Sequence, residues 1–360
     1  MYDFLDNDLY VFAMARGVFL TDPKKTVRYK LTIRNKNWER PYFNELFLEH
    51  FNYWFTNVYG KEAFSDNDLL FIADSLKIPF TDPYIKYLQK PKDVCGTIWT
   101  GIDEYNYFTL EYNGLWIDQI LHEVPLLSAI SELYYKLHDP VPLHKYKEKV
   151  VEQWSAVDPK IIEMGTRRRI SFDHQEEAIK GLLSLNKLEG TSNLYFARKY
   201  NLPCFGSNAH QWYMAKGNEK GVKDWLSLGY KTNILLPDTF TTDKFFSYNA
   251  GGPEHTDLLK ADGFRQDSGK PREFVDKVKK FYDTYKVNTK EKTIVFSDSL
   301  NVVSVNTLNS LYKDQFNVKF GVGSNITCIH DRPLKIVIKP TEFDGEQVFK
   351  ISDDPEKSTK

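Results

Sequence analysis

The 360-residue chain is poor in cysteine, with only Cys95, Cys204 and Cys328. These share no metal-ligand spacing and cannot all pair, which excludes a disulfide scaffold and fits a reducing, cytoplasmic compartment. No run of about 18 apolar residues occurs, so no membrane-spanning helix is expected. Net charge is almost absent: 48 Lys+Arg against 49 Asp+Glu leave −1. Without a basic surface, non-specific nucleic-acid binding is excluded. The N-terminus carries Asp3, Asp6 and Asp8 where a secretory signal needs basic residues. The histidines show no H-x-x-x-H pairing, so no metal-ligating residues are expected. His50, His122, His138, His144, His174, His255 and His330 read as structural or surface groups. Low-complexity stretches, duplications and long linkers are also missing. What remains, at 41% apolar, is core material for two domains or for one large barrel with an appendage.

Arginine is scarce as well. Only 11 of the 48 basic residues are arginine, yet three stand together at Arg167, Arg168 and Arg169. A guanidinium offers a rigid fork of donors matched to carboxylate or phosphate, which lysine cannot copy. The cluster therefore points to an anion, with one or two arginines facing it and at least one structural.

The first 120 residues mix patterns. Helical spacing predicts a helix over 6–19, with Asp6, Asn7 and Asp8 as capping candidates. Alternation predicts a strand over Val27–Ile33 and a strand pair within Thr97–Tyr112, broken at Asp103–Asn106. Glu123–Leu137 reads as an apolar helix with Pro125 in its first turn. From Ile161 onward, short apolar runs end repeatedly in Gly, Ser, Thr or Asp and lead into helices. The runs are Ile161–Met164, Leu188, Leu202–Phe205, Ile234–Leu236, Thr293–Phe296 and Val318–Phe320. Helical patterns over 173–184 and 272–287 lie between them. This alternation predicts an α/β fold with a parallel sheet, closed or open, whose ligands bind at the carboxyl ends of the strands.

The small polar residues thus converge on one mouth. Gly321-Val322-Gly323-Ser324 suits a phosphate loop, where glycines let backbone N–H groups approach. His210, at the start of a helix in FGSNAHQW, suits a neutral imidazole that attacks or binds a phosphoryl group. Arg265, Asp267 and Ser268 fall in the small-residue loop GFRQDSGKP. Asp267 and Asp298 suit sugar hydroxyls or a magnesium shell. Tyr10, from its surroundings alone, is a core aromatic.

Taken in order, DNDLYVFAM, HEVPLLSAISELYY, GTRRRISFDHQEEAIKG, GTSNLYFARKYNLPCFGSNAHQWYM, GFRQDSGKP, IVFSDSLN, FGVGSNIT and LKIVIKP resemble nicotinate phosphoribosyltransferase, a type II phosphoribosyltransferase family. The resemblance is dense over about 120–353. It implies an irregular α/β (TIM-like) barrel over 121–334. An α+β N-terminal domain over 1–120, joined by 335–360, completes the chain, and the assembly is a homodimer with shared active sites. It implies transfer of phosphoribose from phosphoribosyl pyrophosphate to nicotinate in NAD biosynthesis, coupled to ATP through a phosphohistidine, with magnesium escorting the phosphates. His210 becomes the phosphoacceptor and Asp238 the carboxylate orienting it. Tyr10 stacks on the pyridine from a neighbouring subunit, and Ser207 and Arg265 hold nicotinate. Arg167 lies at the ring and phosphate pocket, and Ser324 binds the 5′-phosphate.

Ser192 stands where sister enzymes for nicotinamide place an aspartate, which favours the acid. Val11, Gly206-Ser207, Gly323-Ser324, Gln211 and Lys270 depart from the family pattern. Of these, Gln211 removes a negative charge expected beside His210. The sequence stops at Lys360, some tens of residues before the family commonly does, so a C-terminal covering segment is expected to be missing. Two other readings follow: a nicotinamide phosphoribosyltransferase, and a pyridine-nucleotide binding protein without turnover.

Overall fold

A computed structural model describes residues 3–35, 42–59, 64–89, 97–247 and 253–358. Cys95 and the side chain of His255 lie outside the described set. Eleven strands are described. The first six are β1 (Thr26–Ile33), β2 (Thr97–Ile102), β3 (Phe108–Leu115), β4 (Ile161–Glu163), β5 (Leu188–Thr191) and β6 (Ile234–Leu235). The rest are β7 (Gly263–Gln266), β8 (Thr293–Phe296), β9 (Asn317–Val322), β10 (Ile336–Phe343) and β11 (Glu346–Gln347).

They form two sheets. One is antiparallel, in the order β11-β10-β1-β3-β2. Its strand β1 alternates as the sequence predicts, burying Val27, Tyr29 and Leu31. The other is parallel, in the order β5-β4-β9-β8-β7-β6. Among the described residues no ladder joins β5 to β6, so the pairing stays open at those two strands.

One predicted strand fails and one loop becomes a strand. Leu202–Phe205 makes only the isolated bridge Thr191–Cys204. Pro203 has no N–H to give a ladder. Its carbonyl instead accepts from Thr191 at 3.1 Å, over Gly190, where a Cβ would lie 2.3 Å from that oxygen. The sixth parallel strand is β7, within the stretch read as a loop. Its four residues are too few for a period to show.

The first helix, Leu9–Thr21, begins later than its pattern because the capping candidates are engaged elsewhere. Asn7 donates to the Leu121 carbonyl at 3.0 Å. Asp8 accepts from Thr166 and Ser192, each at 2.9 Å. Asp6 meets Arg169, which is 2% exposed and also binds Glu132 and Gln175. A guanidinium so enclosed must be paired, and Arg169 is the structural arginine of the triplet. These bonds tie the helix start to the carboxyl ends of β4 and β5. Gly206 lets Tyr10 approach, since a Cβ there would lie 2.6 Å from the Tyr10 nitrogen.

Candidate active site

Two adjoining cavities meet at the carboxyl ends of the parallel strands, and one of them reaches along the sheet to the amino ends of β8 and β9, at Thr293 and Asn317. The larger, of about 400 Å3, is walled by Leu9, Tyr10, Phe205, Trp225, Tyr230 and Ile234, with Asp8, Ser192, Ser207 and Asn208 among its polar residues. The smaller, of about 230 Å3, is walled by Arg34, Arg168, Lys339, Lys350 and Lys357, together with Asp298 and the loop Gly323–Ser324. Met164, Arg167, Ala209, His210, Arg265 and Asp267 line both. One cavity is therefore largely apolar with an aromatic wall, and the other is cationic.

His210 stands on the shared wall as the first residue of the helix His210–Lys216. Its Nδ1 lies 3.0 Å from the Thr239 hydroxyl, and its Nε2 lies 3.0 Å from Asp267 Oδ2 and 2.8 Å from Lys350 Nζ. Asp238, implied as the orienting carboxylate, is 3.9 Å from Nδ1, and the hydrogen bond goes to Thr239 instead. Asp238 accepts from Ser268 and sits 3.5 Å from Lys350 Nζ. Ser268 is 1% exposed and buttresses Asp238 from behind rather than lining either cavity.

The charges around His210 set its protonation. Burial, and then the Lys350 ammonium, push its pKa down to about 4, against the opposing pull of Asp238 and Asp267. The imidazole is thus neutral at pH 7 and keeps a lone pair for an electrophile. An NMR titration of the ring should show no midpoint between pH 6 and 8, and ionisation only as pH falls toward about 4. In Lys350→Met the midpoint should rise. A wild-type midpoint near the ordinary histidine value would refute this arrangement.

Asp267 is pushed up by burial but held well below the usual carboxylate range by Arg265 and by its bond to His210. Arg265 Nη1 lies 3.6 Å from Asp267, while its Nε is buried without a hydrogen bond among the described residues. Arg167 stacks at 5.6 Å over the Tyr10 ring and reaches Glu123 at 3.4 Å. Lys357 binds Asp298 and the Asp267 carbonyl, both at 2.6 Å. Burial, and then Arg34, lower the Lys339 pKa to about 7. So dense a group of cations calls for a polyanion.

Two placements differ from the sequence reading, and a third residue that departs from the family pattern lies outside the site. Tyr10, implied as a neighbour's contribution, lines the cavity of its own chain, because Leu9 N–H binds the Ser192 carbonyl at 2.8 Å and fixes the helix there. Gln211 turns its amide away from His210, into contacts with Tyr29, Trp116 and Glu123. Lys270 is exposed, pairs with Glu273 at 2.9 Å and lines neither cavity. Lys339, Lys350 and Lys357, by contrast, escaped the sequence reading. The available signal was a lysine flanked by apolar residues in IVIKP and VFKIS, where a surface lysine has no reason to sit.

An aromatic cavity opening onto a cationic one, with a neutral imidazole between, defines an α/β enzyme that brings a ring and a phosphorylated compound together. Residues 159–360 match the nicotinate phosphoribosyltransferase (NAPRTase) family, and residues 5–131 match that family's N-terminal domain. A nicotinate phosphoribosyltransferase of Methanosarcina acetivorans is 31% identical over 99% of this chain and 94% of its own length. Nicotinate phosphoribosyltransferase 1 of Pseudomonas aeruginosa is 30% identical over 98% of this chain and 92% of its own. A crystal structure of nicotinate phosphoribosyltransferase from Porphyromonas gingivalis superposes with a TM-score of 0.85 at 26% identity, covering 100% of this chain and 96% of that one. The chain belongs to the nicotinate phosphoribosyltransferase family.

Proposed function

We propose that this enzyme joins nicotinate to phosphoribosyl pyrophosphate, giving nicotinate mononucleotide and pyrophosphate for NAD biosynthesis, with ATP coupled through phosphorylation of His210. The observation that carries the proposal is the shared wall. Arg167, His210, Arg265 and Asp267 face a ring-sized cavity on one side and a polycationic one on the other.

The ring nitrogen must displace pyrophosphate at the anomeric carbon, through a transition state with oxocarbenium character. Positioning and neutralisation of the departing charge are the protein's tasks. Tyr10 and Arg167 form the platform for the pyridine, and Ser207 and Arg265 take its carboxylate. The Gly323–Ser324 loop takes the ribose 5′-phosphate, and Arg168, Lys339, Lys350 and Lys357 face the pyrophosphate. Asp267 and Asp298 would hold a magnesium ion bound with substrate phosphate once Lys357, 2.6 Å from Asp298, turns to that phosphate, since the ion takes one or two carboxylates and keeps its remaining ligands from substrate and water. When bound, it would offset phosphate charge. A magnesium ion held by His210, Asp238 and Asp267 alone does not fit, although their ligand atoms lie within 4.8 Å of one another, because Lys350 Nζ sits 2.8 Å from His210.

The finer architecture belongs to the same reading. Ile162, Ile234, Arg265, Thr293, Val295 and Lys319 come from β4, β6, β7, β8 and β9 and line one cavity. That supports an irregular barrel over 121–334, with 1–120 and 335–360 as the second domain. The homodimer stays part of the proposal without the sharing of Tyr10. No described helix is long and apolar enough to cross a membrane. Cys204 and Cys328 are free thiols, which supports a cytoplasmic setting.

Labelled nicotinate and phosphoribosyl pyrophosphate, incubated with the protein with and without ATP, test the proposal. Mononucleotide formation stimulated by ATP is the expected result. Preference for nicotinamide would install the amide-using alternative, and bound ligand without product would leave only a binding protein.

A further inference from the structure

We infer that Lys357 is the resident counter-cation of Asp267 and Asp298, which closes their oxygens to a bare divalent ion and yields them only to an ion that arrives with phosphate. The inference deepens the proposed function and rests on its assignment of a magnesium position to these two residues.

Lys357 Nζ donates to Asp298 Oδ1 and to the Asp267 carbonyl, both at 2.6 Å. Asp267 follows β7 and Asp298 follows β8, so one ammonium bridges the ends of two paired parallel strands. Carboxylate and carbonyl oxygens are the ligands that a magnesium ion takes. An ammonium already bonded to them competes for the same lone pairs.

The lysine reaches that place from a strap, residues 350–357, which follows β11. Ile351 N–H binds the Thr239 carbonyl at 2.9 Å, Ser352 Oγ donates to Ser268 Oγ at 3.1 Å, and Asp353 accepts from Thr242 N–H at 2.9 Å. At the other end Lys339 Nζ donates to the Lys357 carbonyl at 2.9 Å. The backbone is therefore held along its length, while the Lys357 side chain, 24% exposed, carries its charge on a flexible stem at the cavity wall.

Charge decides which occupant wins. Arg34, Arg168, Lys339 and Lys350 line the same cavity. Admitting a bare divalent ion would add two positive charges to that field and would push Lys357 back into it. Phosphate reverses both effects, because it offsets the incoming charge and offers the ammonium new acceptors. Lys357 thus ties entry of the ion to entry of the substrate.

The test follows manganese(II) binding by electron paramagnetic resonance, without substrate, in wild type, Lys357→Met and the double variant Lys357→Met/Asp298→Asn. Lys357→Met should bind one ion at least about tenfold more tightly than wild type, and the double variant should lose that gain. Equal binding by wild type and Lys357→Met overturns the inference, as does a gain that survives Asp298→Asn. Should Lys357→Met fail to fold, wild type with its lysines reductively methylated with carbon-13 keeps the inference falsifiable, the Lys357 signal being the one lost in Lys357→Arg. That signal should stay in place with magnesium chloride alone and shift when phosphoribosyl pyrophosphate is added with it. A shift with magnesium chloride alone, or none with both, overturns the inference. Wild type that makes no mononucleotide, beside a Lys357→Met that gains its ion, strikes the proposed activity and leaves the counter-cation standing.

Discussion

Replacing His210 with alanine is expected to abolish ATP hydrolysis coupled to base transfer, at least about a thousandfold, while some transfer persists at high phosphoribosyl pyrophosphate. The geometry assigns the nucleophile's task to this side chain. Nδ1 is held by Thr239, and Nε2 stands at the cationic cavity beside Lys350. A neutral ring with Nδ1 tethered to Thr239 presents Nε2 to an electrophile once an incoming phosphate takes Lys350 and Asp267 from it. A phosphoryl group arriving there would find the Lys350 ammonium already in place. Base transfer needs none of this, because the ring nitrogen of nicotinate is its own nucleophile, so it should survive at reduced efficiency. Phosphate release from ATP in His210→Ala, measured beside mononucleotide formation, separates the two reactions. Unchanged phosphate release would show that another residue carries the phosphoryl group.

Arg265→Ala should raise the KM for nicotinate far more than that for ATP. The Arg265 Nε is buried and unbonded, and the guanidinium lines the ring cavity while leaning on Asp267 from 3.6 Å. A donor with its partners so incomplete is placed for a ligand carboxylate. Losing that charge-assisted contact costs about 2–3 kcal/mol, or roughly 30- to 150-fold in KM. Steady-state kinetics with each substrate varied in turn give the comparison. An unaltered nicotinate KM would move the carboxylate elsewhere, with Arg167 the next candidate on the same wall.

The parallel strands were legible where an apolar run ended in small polar residues, as at Thr293–Phe296. They were misread where the run was a bare four residues around a charge, as at Gly263–Gln266, because Arg265 breaks the apolar signal it is there to serve. Leu202–Phe205 carried the signal and lacked the ladder, since Pro203 cannot donate. In the site, His210, Arg167 and Arg265 could be found because their motifs announce them. Thr239 stayed hidden beside Asp238, because sequence shows which carboxylate is near an imidazole but not which oxygen completes the hydrogen bond. Gln211 was read as a neighbour of His210, yet successive residues at a helix start point to different sides, and its amide belongs to the antiparallel sheet. Lys339 and Lys350 depend on pairing between β1 and β10, strands roughly 300 residues apart. No local pattern can report that.

That same seam limits how the molecule can be taken apart. His210 follows the parallel strand β5, but the ammonium beside it follows β11, and Arg34 and Lys339 stand at or in strands of the antiparallel sheet. A chimera that grafted the parallel half onto a relative's remaining sequence would carry over its phosphoacceptor and lose its own counter-charge. Recombination between members of this family should therefore breed true only when both ends of the chain travel with the middle.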